Sequence, residues 1–167
     1  GTYASITDSS LSEDIDGDGL GIFGYFSITP NIALGAGYSG TSYDTFRGVD
    51  VDTSSLTFGV NIHTSVAQGT DIHGFFKVLK AKVEATDGFT TIDDDDTGNV
   101  IGVGLRHMAT DAIEVNIGFS RTDVFEDTSN TFGLGARFYA NEKISFGIGY
   151  STGDDVDVLL FNARIDI

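Results

Sequence analysis

Ala112-Ile-Glu-Val-Asn-Ile-Gly-Phe-Ser120 sets Ile113, Val115, Ile117 and Phe119 on one phase of a two-residue rhythm. Ala112, Glu114, Asn116, Gly118 and Ser120 occupy the other phase. Phe132, Leu134, Ala136 and Phe138 repeat the pattern against Gly133, Gly135, Arg137 and Tyr139, and Ile144, Phe146, Ile148 and Tyr150 repeat it against Ser145, Gly147, Gly149 and Ser151. Strict alternation means strands with two chemically different faces. A soluble sheet covers its outer face with Lys, Glu and Thr. Here the second face is mostly glycine, which suits the inside of a closed barrel whose apolar phase turns outward to lipid.

Composition agrees with one such domain. The chain has 167 residues, with 22 Gly and 13 Phe against a single Pro and a single Met. It has no Cys, which removes disulfides, thiol nucleophiles and thiolate metal sites. No run of 18 apolar residues exists, which excludes a spanning helix and leaves a spanning barrel open. No secretory signal is present, so an exported protein would here be in a mature or trimmed form. The formal charge of −16 comes from 25 acids and 9 bases and offers no phosphate-neutralising stripe, so nucleic acid is excluded as a partner. The apolar content of 40% with clean alternation argues against disorder.

The rhythm predicts an all-β, closed up-and-down antiparallel transmembrane barrel of ten strands over residues 1–167, with eight strands as the alternative. The strands run Thr2–Ser9, Leu20–Thr29, Ile32–Tyr43, Thr53–Thr64, Asp71–Ala85, Asn99–Met108, Ala112–Asp123, Thr131–Tyr139, Lys143–Thr152 and Asp157–Ile167. Lengths near ten residues suit a tilted crossing of a bilayer core, which needs about 9–11. Short turns at Pro30-Asn31, Ala67–Thr70, Ala109–Asp111 and Ala140–Glu142 alternate with longer polar connections at Ser10–Gly19, Asp44–Asp52, Thr86–Gly98, Val124–Asn130 and Gly153–Val156. All of the 25 acids except Asp71, Asp111, Glu114, Glu142 and Asp166 fall in or beside those long connections. A membrane-crossing barrel keeps charge out of its lipid band, so acidic loops at one end are the expected arrangement.

The inward set on this reading comprises Asn61, His63, Arg106, Glu114, Asn116, Arg137, Asn162 and Arg164, with many glycines. An arginine facing the bilayer midplane would cost about 2–4 kcal/mol, whereas inside it pairs with Glu114, Asp166 or water. The fifth strand resists assignment. Phe75, Lys77 and Leu79 share one phase and Phe76, Val78, Lys80 and Lys82 the other, so a lysine faces outward either way, by snorkelling or at a bulge. The first two strands are ambiguous in phase. Eight strands enclose an interior that side chains just fill, and ten sit near that limit, so side chains are expected to close the lumen or leave a thin water path.

The last strand, Val158-Leu-Leu-Phe-Asn-Ala-Arg-Ile-Asp-Ile167, resembles the C-terminal strand by which bacterial outer-membrane proteins are recognised for assembly, with Ile167 where Phe is usual. Asp18-Gly-Leu-Gly-Ile-Phe-Gly-Tyr-Phe26, Leu34-Gly-Ala-Gly-Tyr-Ser39, Ile101-Gly-Val-Gly-Leu-Arg106 and Phe132-Gly-Leu-Gly-Ala-Arg137 resemble the small outer-membrane β-barrel family of Gram-negative bacteria. The resemblance covers the whole chain and rests on pattern. It implies a porin-like envelope barrel and carries over no catalytic residue.

Asp14-Ile-Asp-Gly-Asp-Gly19 matches the first half of a calcium loop, with Asp14, Asp16 and Asp18 as oxygen ligands, but Tyr25 stands where the bidentate Glu belongs. A weak Ca²⁺ site and a solvated acidic loop are the two readings, the latter favoured. Asp93–Asp96 is read as a solvated tip, and such loops attach to lipopolysaccharide phosphates only through bridging Mg²⁺ or Ca²⁺. His63 and Ser65 share a phase, but no orienting acid is evident for acyl transfer. His73 and His107 sit near the same short-turn end, far from the rim where an outer-membrane protease would need them. Tyr38, Tyr43, Phe46, Phe125 and Tyr150 at one end, and Tyr3, Phe138 and Tyr139 at the other, read either as aromatic girdles or as ordinary strand residues.

The functional expectation is a non-enzymatic outer-membrane barrel with a structural or adhesive role, meeting lipid, lipopolysaccharide and surface partners. Its apolar outer walls would permit homo-oligomers. The alternatives are a narrow pore lined by Arg106, Arg137 and Arg164, and a soluble ligand-carrying barrel with the apolar phase inside.

Overall fold

The computed structural model describes residues 2–8, 15–46, 48–154 and 156–166, with side chains throughout except at 2–8, 15–16, 44–46 and 156. Among these residues the strands are β1 (Thr2–Asp8), β2 (Ile15–Thr29), β3 (Ile32–Phe46), β4 (Val49–Ala67), β5 (Thr70–Thr86), β6 (Thr91–Thr110), β7 (Ile113–Val124), β8 (Asp127–Tyr139), β9 (Ile144–Gly153) and β10 (Val156–Ile165). Each pairs antiparallel with its chain neighbour, and β1 also pairs with β10 from Thr2↔Asn162 to Asp8↔Val156, which closes the sheet on itself. A closed sheet leaves no open edge for another chain to extend.

The apolar phase faces outward. Ile117, Phe146 and Phe161 are 52%, 53% and 45% exposed, and the described residues contain one buried hydrophobic side chain, Leu79. A soluble carrier needs those residues inside, so that reading falls. On β2 the outward set Leu20, Ile22, Phe26 and Ile28 fixes a phase the sequence left open, and it sends Phe23 and Tyr25 inward. On β5 the register with β4 and β6 runs without a bulge from Asp71 to Thr86. Lys77 therefore points inward, with Nζ 4.7 Å from the Phe75 ring centroid. Lys80 and Lys82 do point outward, but beyond Val78, where the apolar wall ends. Neither a bulge nor a snorkelling lysine inside the lipid band is required.

The segments expected as long acidic loops are largely strand. β4, β5 and β6 run for 19, 17 and 20 residues, well past the apolar wall. Asp93 to Asp96 lie within β6, paired with Glu84, Val83, Lys82 and Ala81. The pattern is physically sensible because Lys80 Nζ lies 2.9 Å from Asp95 and Lys82 Nζ lies 3.5 Å from Asp93, so cross-strand cations offset the aspartates. Tight turns remain at the tips. Phe125 and Glu126, with φ of 55° and 61°, join Val124 to the paired Asp127, a two-residue connection in which both central residues are left-handed. At the β5–β6 tip the Asp87 carboxylate accepts the amides of Phe89 and Thr90 at 2.9 and 2.7 Å.

Those two bonds, Phe89 first, hold the Asp87 carboxyl below its ordinary pKa. Their contribution is present above the unfolded carboxylate range and is lost as pH falls through the depressed folded value. The amide resonances of Phe89 and Thr90 are expected to shift together in that acidic window, with an Asp87→Asn variant showing no such titration.

Glycine supplies close approach where strands cross. A Cβ on Gly59 would collide with the main chain at Phe76 and Lys77, whereas one on Gly24 meets nothing within 4 Å. Gly59→Val is expected to destabilise the barrel by about 1–3 kcal/mol or to block folding, and Gly24→Val to leave it intact. The mobility of unboiled protein in detergent gels reads both outcomes.

Candidate functional site: the polar inner wall

Inward side chains are carried in register rows that run around the wall. One row joins Ser65, Asp71, Arg106 and Asn116 on four successive strands. The Arg106 guanidinium donates to Asp71 Oδ2 through Nη2 at 2.8 Å and Nε at 3.1 Å, and Ser65 Oγ donates to Asp71 Oδ1 at 2.6 Å. His63 Nδ1 lies 3.4 Å from Arg106 Nη2. Both oxygens of the carboxylate are thus engaged, and the arginine charge is matched by a charge-assisted pair.

A second row places Glu114, Arg137, Gly147 and Asn162 side by side. Gly147 carries no side chain, so Arg137 Nη2 reaches across it to Asn162 Oδ1 at 2.7 Å, while Nη1 donates to the buried Ser145 Oγ at 3.0 Å. Glu114 Oε2 accepts from Tyr139 Oη at 2.9 Å. Arg164 pairs with Asp166 at 2.6 Å near the short-turn end. Asn61 lies on the same inner face, with its Nδ2 buried.

The structure thereby places Asn61, His63, Arg106, Glu114, Asn116, Arg137, Asn162 and Arg164 on one inner wall and bonds His63 to Arg106 and Arg137 to Asn162. Arg106 takes Asp71 as its acid, a residue the sequence marked only as an exception among acids. Its signal was present, since Asp71 and Arg106 each sit beside a short turn on facing strands.

The sequence left the phase of Phe23, Tyr25 and Phe75 open and read His73 as an interfacial or lumen residue. The rings of Phe23, Tyr25, Phe75 and His73 lie against Gly37, Gly35, Gly102 and Gly104. Each occupies the space a side chain on the facing glycine would take. Phe125, read with the girdle aromatics, instead lines a cavity of about 290 Å³ at the loop-end mouth with Ser39, Thr53, Ser55 and Leu79. Its amide donates to Asp96 Oδ2 at 2.5 Å. Tyr139 likewise turns inward to Glu114 rather than outward to a girdle.

Chemically the wall combines ion pairs at Arg106–Asp71 and Arg164–Asp166 with an Arg137 held by the neutral Ser145 and Asn162, and it buries Asn61 Nδ2 and His73 Nδ1 without a hydrogen-bond partner among the described residues. Ser65 gives its proton to Asp71, not to His63, so the nucleophile–base contact that acyl transfer requires is not formed. His73 stands opposite His63 in the sheet, and His107 faces outward with Nδ1 2.8 Å from Thr70 Oγ1. Of the calcium-loop residues, Asp14 lies outside the described residues. Asp16 and Asp18 belong to β2, where the backbone is extended rather than wrapped around a centre.

Asp71→Asn leaves Arg106 facing a weaker acceptor and is expected to lower stability in lipid vesicles by about 1–3 kcal/mol, measured by urea unfolding. Adding Arg106→Met should restore part of that loss, because the orphaned charge goes with it. A double variant as unstable as the two single losses combined would count against the pairing.

A family model described as the outer membrane protein beta-barrel domain matches residues 1–138. No curated protein matches the chain in sequence. Among solved structures, the beta domain of the Bordetella autotransporter Brka aligns with a TM-score of 0.61 at 13% identity, covering 99% of this chain and 97% of that one. The translocator domain of the autotransporter NalP from Neisseria meningitidis gives 0.56 at 10% identity, over 99% and 86%. Neisserial surface protein A gives 0.55 at 11% identity, over 99% and 94%. At such identities these likenesses speak to fold alone. Matched by the family over most of its length, and built with a greasy outer wall around a polar inner one, the chain belongs to the outer membrane protein beta-barrel family and is a protein of the bacterial outer membrane.

Proposed function

We propose that the chain crosses the outer membrane as a complete ten-stranded barrel, closed inside by side chains. In this reading it serves as a non-enzymatic structural or adhesive module that meets its surroundings through the hairpins at one end. The observation that carries this reading is the height of β4, β5 and β6 beyond the apolar wall, crowned by Asp93 to Asp96. A barrel that served only to seal its own lumen would need no such ribbons. The packing of Phe23, Tyr25, Phe75 and Lys77 into the interior supports closure.

The experiment pairs two measurements. Cells displaying the wild type should adhere to cationic surfaces more strongly than cells displaying a variant whose β5–β6 tip, residues 83–94, is replaced by a tight turn. Both proteins should fold equally by gel mobility, and equal adhesion would remove the role assigned to the hairpin.

A second reading, a narrow channel for ions or small solutes, draws on the charged row of Arg106 and Arg137. Planar-bilayer recording separates the two, since a lumen closed by side chains gives no unitary steps. Regular steps that disappear in Arg137→Glu would establish the channel instead.

A further inference from the structure

At the loop-end mouth the inner wall changes character. Three register rows cross β3 to β6 there: Gly37–Thr57–Leu79–Gly98, then Ser39–Ser55–Ala81–Asp96, then Thr41–Thr53–Val83–Asp94. Along these rows β3 and β4 contribute hydroxyls, β5 contributes Leu79, Ala81 and Val83, and β6 contributes carboxylates. Ala81 is the smallest of the three aliphatic side chains and leaves the floor open between Ser55 and Asp96. The cavity of about 290 Å³ lies on this patch, near the lower end of the ~300–1,000 Å³ that small-molecule sites occupy.

Phe125 supplies the remaining side. Its amide is fastened to Asp96 Oδ2 on β6, yet the residue borders Ser39, Ser55 and Leu79 on β3 to β5, so its ring reaches inward across β6. It does so from a φ of 55°, a left-handed conformation that bulky residues avoid and that such turns ordinarily give to Asn, Asp or Gly. Gly98 admits the turn, because a Cβ there would meet Asp123 O and the Val124 side chain. A strained backbone held in place and aimed at a cavity is the pattern of a ligand clamp. Glycine at position 125 would make the same turn without strain, so what the strain retains is the ring.

The polar groups select the charge of the ligand. Ser39 Oγ and Ser55 Oγ bond each other at 2.9 Å, which spends one proton inside the wall and leaves lone pairs to accept. Asp96 is committed to the turn, with Oδ1 accepting the Thr97 amide at 2.7 Å. Asp94 stands one row higher, beside Val83 on the same inward phase. Lys82 borders the cavity, but its Nζ is held on the outer face by Glu84 and Asp93. The inward Lys77 places its Nζ over the Phe75 ring, on the short-turn side. The mouth therefore presents acceptors, an aromatic face and an aliphatic floor.

We propose that this cavity binds a small organic cation, an ammonium group carried on an apolar ring or short chain. The body packs on Leu79, Ala81 and Val83 beneath Phe125, and the ammonium lies among the ring face, the serine hydroxyls and Asp94. Acids of the surrounding hairpins, among them Asp52, Glu84, Asp93 and Asp95, concentrate cations at the mouth and repel carboxylates and phosphates.

The test uses the full chain in phosphatidylcholine nanodiscs and three probes of one shape: 2-phenylethylammonium, 2-phenylethanol and 3-phenylpropionate. Isothermal titration calorimetry against empty nanodiscs removes partition into lipid. The wild type is expected to bind the ammonium about tenfold more tightly than the alcohol, the effect of one charge-assisted contact, and the carboxylate not at all. Phe125→Gly keeps the amide to Asp96 and suits a φ of 55°, so it should fold normally by gel mobility while binding the ammonium at least about tenfold more weakly. Asp94→Asn should bring the ammonium down to the affinity of the alcohol and leave the alcohol unchanged. Phe89→Ala at the exposed hairpin tip should match the wild type. Wild-type ammonium affinity in Phe125→Gly overturns the proposal. So does equal binding of ammonium and alcohol, which would mark a merely apolar void, and so does preference for the carboxylate or no binding of the ammonium at millimolar concentration.

Discussion

The fold depends on a steric constraint inside the wall: a large inward side chain faces glycine across the strand pair. Phe23 lies on Gly37, Tyr25 on Gly35, Phe75 on Gly102 and His73 on Gly104. So narrow a cylinder has little interior to share, and two bulky residues on facing positions would force the strands apart. Glycine on one strand lets the ring on its neighbour lie flat. The same economy of space lets Arg137 cross Gly147 to reach Asn162. Glycines that weaken an ordinary sheet are here what allows it to close.

Fold and orientation were legible because lipid imposes a strict alternation. Ile117, Phe146 and Phe161 announce their outward face, and Arg106 and Arg137 announce the inward one. Partnerships were less legible, because register decides them. Asp71 meets Arg106 only because β5 and β6 pair without slippage, and a shift by a single residue would turn one of the two outward. The phase of β2 was hidden for a different reason. Phe23 and Tyr25 are as greasy as Ile22 and Phe26, so hydrophobicity alone cannot say which pair lines the interior.

The acidic segments misled for a third reason. Runs such as Asp93–Asp96 read as solvated loops because aspartate disfavours strands. They form strand nonetheless, since Lys82 stands opposite Asp95, Lys80 reaches Asp95 diagonally, and the neighbouring strands are long enough to keep pairing. The information was in the partner strand, fifteen residues away for Lys80 and Asp95, rather than in the segment itself. The backbone beneath Asp93–Asp96 is regular strand where a loop was expected.

The unequal strand lengths make the crown lopsided. β4, β5 and β6 stand tall, while the turn at Phe125 and Glu126 ends much lower. A solute approaching the barrel from that end therefore meets one aspartate-bearing ribbon before it senses the rest of the molecule. Long-range attraction and repulsion are set by that ribbon and fade within about 8 Å at physiological ionic strength. Polyanions are deflected early, whereas a cationic visitor is caught off-centre and delivered to one flank of the cylinder rather than to its axis.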